Sequence, residues 1–274
     1  MKRPQEDAIE TVDGIDLFST FLKAPSATGI LLIVHGYGEH CGMYMKVAQF
    51  YQSMGFHVMM YDLRGHGKSP GDRGDLASVE LCIDDLDLLV ARCKDRYPSL
   101  PVCIMGHNIG ASIAAAYVLR REGHLPALVL SCLPFNLRVS PVQHMMKPFF
   151  KVFDHMESHN KIQDFDEVHT DLDSLAHDEP LTLCLSIELD EVQNFVQKHR
   201  DKFTDPLYLN YSSENLQEHD RLFQDALSYS KAQCRDGLYL SQQQSADLIG
   251  PWLQTRVEEF VLNQKELAQE ENSI

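Results

Sequence analysis

The sequence lacks the features that would place a protein on a nucleic acid or across a membrane. It has 24 lysines and arginines against 40 aspartates and glutamates, so the net charge is −16. A chain this acidic repels a phosphate backbone, which argues against nucleic acid as a partner. No apolar run is long enough to span a bilayer, and residues 1–7 contain no apolar signal-peptide core. We therefore expect a cytoplasmic protein, with at most a peripheral contact to membranes.

Cysteine is too scattered to form a disulfide framework. The seven cysteines are an odd number, and no two of them form a C-x-x-C pair. Most lie within apolar runs, namely Cys82, Cys93, Cys103 and Cys184. This distribution indicates buried thiols in a reducing compartment.

Apolar runs and amphipathic segments alternate along the first half of the chain. Residues 29–34 form a continuous apolar run, which is typical of a strand buried on both faces of a parallel sheet. Residues 8–21 predict a β-hairpin around Asp13-Gly14. Further strands are predicted at 55–61, 101–105 and 125–132, with helices at 44–54, 76–97 and 111–121. The alternation predicts a single α/β domain over residues 1–274 with a doubly wound, mostly parallel sheet.

The alternation stops in the middle of the chain. Residues 137–202 predict a small helical cap inserted over the carboxyl edge of the sheet, with helices at 142–153 and 181–198. The apolar stripe of the first helix consists of Met145, Met146, Phe149, Phe150 and Phe153. We expect these side chains to bind an apolar ligand at a pocket mouth. Contact with a membrane surface and packing inside the cap are equally compatible with the spacing.

The pattern resumes after the cap with a strand at 206–211. A helix is predicted at 221–231, followed by at most a short strand or loop at 237–240. A closing helix is predicted at 246–262, and residues 263–274 are expected to form a frayed polar tail.

Metal and cofactor signals are weak. His155 and His159 are four residues apart, a spacing that can place two ligands on one helical face. Their segment lacks the H-E-x-x-H order, so we interpret them as solvated histidines. No metal and no other cofactor is expected.

Residues 102–112 have the layout of a strand, a sharp turn and a helix. At the turn, G-H-N-I-G matches the G-x-S-x-G nucleophile elbow, with Asn108 in place of the serine. The two glycines allow close packing while the middle residue is strained and exposed at the sheet edge. Asparagine tolerates a positive φ better than most residues, so it suits the turn. An amide is not a useful nucleophile at neutral pH, so the reactive group is missing.

Four short motifs follow one another along the chain: H-G-Y-G-E-H at 35–40, Y-D-L-R-G-H-G-K-S at 61–69, G-H-N-I-G at 106–110 and D-E-P-L at 178–181. The first three resemble, in the same order, an H-G-x-G-E-H turn, a D-x-R-G-H-G-x-S loop and a G-H-S-M-G elbow, and the fourth looks like a motif of a cap. This set resembles the monoacylglycerol lipase and lysophospholipase branch of the α/β-hydrolases, the serine aminopeptidase S33 type. The resemblance runs from about residue 13 to 261 and implies an α/β-hydrolase fold.

The same resemblance implies that all three triad positions are substituted. Asn108 stands for the serine, Asn215 for the aspartate and Leu240 for the histidine. No histidine follows His219, which excludes a triad histidine from the usual C-terminal loop whatever the alignment. Two other interpretations of these positions are that Asn108 is an engineered substitution that traps a ligand and that Glu214 is the acid. A carboxylate without a histidine to orient has no catalytic task.

The oxyanion donors are implied to be the backbone N–H groups of Tyr37 and Ile109, which survive any side-chain change. Two functions follow as hypotheses. The first is a catalytically inactive relative of monoacylglycerol lipase that binds a lipid-like molecule or a protein partner. The alternative is an active esterase or lipase that hydrolyses monoacylglycerols or lysophospholipids through an unconventional set of residues.

Overall fold

A single sheet of eight strands organises the part of the chain that the computed structural model describes. That part comprises residues 3–121, 125–134, 139–150, 175, 181–203, 207–212, 229–234 and 243–271. The strands are β1 (Gln5–Glu10), β2 (Asp16–Leu22), β3 (Gly29–Val34), β4 (Phe56–Tyr61), β5 (Val102–His107), β6 (Leu128–Ser131), β7 (Leu207–Ser212) and β8 (Tyr229–Cys234). Their order across the sheet is β1-β2-β4-β3-β5-β6-β7-β8.

Strand direction follows the sequence-based prediction. β1 and β2 pair antiparallel as the hairpin, and β2 pairs antiparallel with β4. All other neighbouring pairs, from β4-β3 to β7-β8, are parallel. The prediction of a doubly wound, mostly parallel sheet is confirmed.

Six described α-helices flank the sheet. They are α1 (Met45–Ser53), α2 (Val79–Arg96), α3 (Ile109–Arg121), α4 (Pro141–Phe150), α5 (Leu183–Lys198) and α6 (Gln243–Glu271). Side chains of α2, α3 and α5 share one hydrophobic core, and those of α1 and α6 share another. β3 serves both cores, since Leu32 belongs to the first and Leu31 to the second. A strand buried on both faces is therefore continuously apolar.

Two elements differ from the sequence-based expectation. The helix predicted at 221–231 is wrong at its C-terminal end, because residues 229–231 belong to β8. β8 has a polar sequence, Y-S-K-A-Q-C, and its register is set by parallel pairing with β7 from Leu207↔Tyr229 to Ser212↔Cys234. The closing helix α6 continues to Glu271 rather than ending at Leu262. The added residues are rich in Gln, Lys, Glu, Leu and Ala, which favour a helix even when exposed.

Helices α4 and α5 lie within the predicted insertion. α5 packs on the core that contains α3, and its Glu188 carboxylate accepts a hydrogen bond from the Val79 N–H at 2.9 Å. That contact satisfies a free N–H group at the start of α2. The predicted helical end at 151–153, and the segment with His155 and His159, lie outside the described residues.

None of the described helices is both long and apolar enough to cross a bilayer. Cys82, Cys93, Cys103 and Cys184, the four expected to be buried, are free thiols; the first three are buried, while Cys184 is partly exposed.

Candidate functional site

The candidate site is a sharp turn between β5 and α3 at the carboxyl edge of the sheet. Asn108 lies between these elements with φ 52°, in the left-handed region. A Cβ on Gly106 would clash with the Gly110 carbonyl, and one on Gly110 would clash with the Val34 carbonyl. Both glycines are therefore needed for the close approach of strand and helix. The Asn108 N–H donates to the Ser131 carbonyl at 2.9 Å, which ties the turn to the end of β6.

The Asn108 side chain fills the space between two backbone donors. Its Oδ1 accepts a hydrogen bond from the Ile109 N–H at 2.7 Å and a longer one from the Tyr37 N–H at 3.5 Å. Because both partners are N–H donors, the amide must present its oxygen to them and not its nitrogen. Asn108 is only 5% exposed. These are the two donors that the sequence resemblance implies for an oxyanion hole, and the protein's own amide oxygen bonds to both.

A buried histidine holds the turn that carries Tyr37. The His35 Nε2 accepts a hydrogen bond from the Leu63 N–H at 2.9 Å, so the ring proton is on Nδ1. That Nδ1 donates to the Gly36 carbonyl at 2.7 Å. Burial lowers the pKa of His35, which favours the neutral ring that both bonds require. His35 therefore positions the Tyr37 N–H through its hydrogen bond to the Gly36 carbonyl, which belongs to the same peptide group.

Glu39 closes the same turn from the other side. Its Oε2 accepts hydrogen bonds from the Gly36 N–H and from the Tyr44 hydroxyl, both at 2.6 Å. A Cβ built on Gly36 would lie 2.8 Å from the Glu39 carboxylate and 3.0 Å from the Asn108 Cβ. A carboxylate therefore lies close to the position where a nucleophile would stand.

Residue-by-residue sequence interpretation missed a polar cluster beside Asn108. The His107 Nδ1 lies 3.3 Å from the Ser131 Oγ, and its Nε2 lies 3.8 Å from the Glu39 carboxylate. The order serine, imidazole, carboxylate is that of a triad. Ser131 is completely buried, however, and the separation between His107 and Glu39 is longer than a hydrogen bond. The signal was present in the sequence, since both His107 and Glu39 belong to recognised motifs.

The loop after β4 is ordered by its own polar residues. The Asp62 carboxylate accepts hydrogen bonds from the Cys41 N–H at 2.7 Å and the Lys68 N–H at 2.8 Å. Arg64 lies between two carboxylates, with its Nε 2.6 Å from Asp85 and its Nη1 2.6 Å from Asp13. The hydrogen bonds raise the pKa of Arg64, and those from Arg64 hold the pKa of Asp13 well below its usual value. These contacts support a structural role for the loop.

Two of the three predicted triad positions lie outside the described residues. Asn215 follows β7, and Leu240 follows β8, each beyond the described end of its strand. The convergence of Asn108, Asn215 and Leu240 therefore remains a prediction. Among the described residues, the hydrogen bonds of the Asn108 side chain go to backbone N–H groups and not to a histidine.

The predicted ligand-binding stripe is described only in part. Met145 is 73% exposed and Met146 38%, as is Val142 at 59%, so one face of α4 presents apolar side chains to solvent. Phe149 and Phe150 belong to α4, but their side chains lie outside the described part, and so does the whole of Phe153. Among the described residues, no group of three or more His, Cys, Asp or Glu could hold a metal ion.

Comparisons with known proteins identify the family and the fold. The family model described as "Serine aminopeptidase, S33" matches residues 25–228. Monoacylglycerol lipase of Mycolicibacterium smegmatis is 39% identical over 116 residues, which are 42% of this chain and 41% of that protein. Monoglyceride lipase of Homo sapiens is 28% identical over 220 residues, 74% of this chain and 71% of that protein. This chain thus aligns with less than half the length of the bacterial relative.

Solved structures show the same fold. The monoacylglycerol lipase of Paleococcus ferrophilus superposes with a TM-score of 0.74 at 20% identity, over 88% of this chain and 99% of the other. A soluble variant of monoglyceride lipase from Saccharomyces cerevisiae gives 0.73 at 13% identity, over 93% and 96%. The family match covers well over half of the chain, and the likeness to solved structures adds the fold. The chain belongs to the serine aminopeptidase S33 family and is a monoglyceride lipase-like α/β-hydrolase.

Proposed function

We propose that this protein is a catalytically inactive member of its family that binds a lipid-like ligand at the carboxyl edge of the sheet. The observation that carries the proposal is the position of the Asn108 side chain, whose Oδ1 accepts hydrogen bonds from the Ile109 and Tyr37 N–H groups. The residue that replaces the nucleophile thus also fills the oxyanion site.

Asn108 affects two requirements of acyl transfer, namely a nucleophile and free donors for the oxyanion. An amide supplies no nucleophile. A substrate carbonyl that entered the turn would have to displace an oxygen already bound at 2.7 Å to one donor. Serine hydrolases that lose triad members retain roughly 10³–10⁴-fold catalysis over water, because the oxyanion hole still acts. Here the hole is occupied, so even that residual activity is expected to be lost.

Two observations support a lipid-like ligand. The relatives named above are monoacylglycerol and monoglyceride lipases. In addition, α4 exposes Val142, Met145 and Met146 on one face, which suits contact with an apolar molecule or a lipid surface. A protein partner on that face is the competing occupant.

The absence of catalysis is tested with a fluorophosphonate probe and a short-chain nitrophenyl ester. The unmodified protein should remain unlabelled and should not raise the rate above the buffer blank. An active monoglyceride lipase treated in parallel shows that the reagents work. Labelling of Ser131 or Ser112, located by peptide mass spectrometry, would contradict the proposal.

Ligand binding is tested separately by thermal unfolding with long-chain monoacylglycerols. Binding to the folded state should raise the melting temperature as ligand concentration passes the dissociation constant. No shift at any soluble concentration, together with capture of a protein partner that Met145→Asp abolishes, would favour the partner hypothesis instead.

A further inference from the structure

The oxygen that fills the two-donor site determines which head groups the site can accept. In an acyl-binding site, the Tyr37 and Ile109 N–H groups would be free for a carbonyl, carboxylate or tetrahedral oxygen. Here the Asn108 Oδ1 lies 2.7 Å from the Ile109 nitrogen and 3.5 Å from the Tyr37 nitrogen. The side chain is 5% exposed, so it is packed in this position and not extended into solvent.

The surroundings also disfavour an anionic head group. Glu39 lies against the same turn, with its carboxylate bonded to the Gly36 N–H at 2.6 Å. A ligand carboxylate entering beside Asn108 would meet this acidic group without the two donors that could offset the repulsion. The protein as a whole carries a net charge of −16, which acts in the same direction.

We propose that Asn108 is a specificity-determining residue that makes the site selective for neutral, hydroxyl-headed aliphatic ligands over those with a carboxylate. This inference rests on the proposed lipid-binding function and names its ligand class. A hydroxyl head group can be solvated or can donate to a carboxylate such as Glu39, and it does not need an oxyanion site. A carboxylate head group cannot donate to Glu39, and the two donors that could bind it are occupied by the Asn108 Oδ1.

The test compares 1-hexadecanol with palmitate, which have equal chain lengths and differ at the head group. Affinities are measured by displacement of a fluorescent lipid probe from the unmodified protein, Asn108→Gly and Asn108→Asp. Glycine tolerates the φ of 52° at this turn and vacates the site. Aspartate keeps an oxygen in the site and is the matched control.

The unmodified protein should prefer hexadecanol over palmitate. In Asn108→Gly the preference should fall at least about tenfold, because a ligand carboxylate gains charge-assisted hydrogen bonds from the vacated donors. Asn108→Asp should keep the original preference or increase it. If Asn108→Gly does not fold, Asn108→Ser provides the same test, since its shorter side chain does not reach both donors.

The possible failures are distinguishable. If both ligands bind and the vacated variants keep the preference of the unmodified protein, the role of Asn108 is overturned while lipid binding stands. A preference for palmitate in the unmodified protein overturns it as well. If neither ligand binds any variant, lipid binding itself fails and the inference fails with it.

Discussion

At the scale of the residue, Asn108 suits the left-handed backbone of the turn and changes its chemistry. Asparagine accepts the φ of 52° that the elbow imposes, and its Oδ1 reaches the two donors at 2.7 and 3.5 Å. A serine is one atom too short to occupy that position. A single substitution can therefore remove the nucleophile and fill the oxyanion site together.

Restoring the triad should restore hydrolysis only when all three positions are changed. Asn108→Ser alone should be inert, because a serine hydroxyl without a base is a poor nucleophile. Leu240→His supplies a base, and Asn215→Asp fixes its tautomer, a role worth about 10⁴ in rate in a protease. The triple variant should hydrolyse short-chain nitrophenyl esters measurably, with the single variants near the blank. A folded but inert triple variant would mean that the pocket has also diverged.

A second prediction at this scale concerns His35 and pH. Burial lowers its pKa in the folded state below the ordinary value of 6.5. Below pH 6.5 the unfolded chain takes up a proton at residue 35 that the folded protein does not, so the free energy of unfolding decreases as the pH decreases. The stabilisation is present above that pH and is lost as pH decreases, by about 1.4 kcal/mol per unit of pKa difference.

Urea unfolding of the unmodified protein and His35→Gln at pH 7.5 and 5.0 measures this effect. The variant should be less stable at pH 7.5 and should lose less stability between the two values. His57, whose pKa burial also lowers, contributes a loss of the same sign that remains in the variant. Equal losses in both proteins would exclude His35 as a source.

At the scale of the element, Arg64 joins three parts of the chain. Its side chain is 2% exposed, and the guanidinium binds Asp13 in the hairpin loop and Asp85 in α2, while Arg64 itself belongs to the loop after β4. A buried charge is tolerated here because the guanidinium donates two hydrogen bonds to each of two carboxylates, those of Asp13 and Asp85. The three elements are fixed to each other on the face of the sheet that carries α2.

Arg64→Met should destabilise the protein by about 3–5 kcal/mol, because Asp85 would be left buried and unpaired. Arg92→Met is a matched control: Arg92 pairs with Asp7 at the surface, where the two side chains are 47% and 57% exposed. Removing that pair should cost about 0–1 kcal/mol. Urea unfolding measures both, and similar costs for the two variants would contradict a special role for Arg64.

At the scale of the whole molecule, an acidic surface is combined with an apolar face on α4. His144 and Lys147 of that helix turn toward acidic groups of α5, at 2.9 Å from Asp190 and 2.6 Å from Glu191. Its apolar residues remain at the surface, with Met145 73% exposed. Since the net charge is −16, the peripheral membrane contact expected from the sequence should involve neutral and not anionic lipid.

Sedimentation with vesicles tests that contact. Binding should be detectable with phosphatidylcholine vesicles and should weaken when anionic lipid is added. Met145→Asp should reduce it several-fold. Leu262→Asp is the control, since Leu262 of α6 is also exposed, at 57%, but lies on another helix. Equal losses in the two variants would show that any added acidic residue weakens the contact, and α4 would not be the docking face.

Much of the fold was predictable because it rests on local signals. The continuous apolar run of β3, the hairpin around Asp13-Gly14 and the helical spacing of α2 were sufficient for the sheet and the fold class. β8 was not predictable from its polar sequence, because its strand conformation depends on pairing with β7. The C-terminal part of α6 is polar, which is typical of a frayed tail, yet its residues have high helix propensity and continue the helix to Glu271.

By itself, the sequence determined that the elbow carries Asn108 and that no histidine follows His219. These are statements about residue identity, and they remove the conventional reagents of the family whatever the coordinates. Only the tertiary structure decided where the Asn108 amide oxygen lies. Its contact with the Tyr37 N–H joins residues 71 apart in the chain, across the carboxyl ends of β3 and β5. No local pattern encodes such a distance, since it depends on the packing of parallel strands and on the close approach that Gly106 and Gly110 permit.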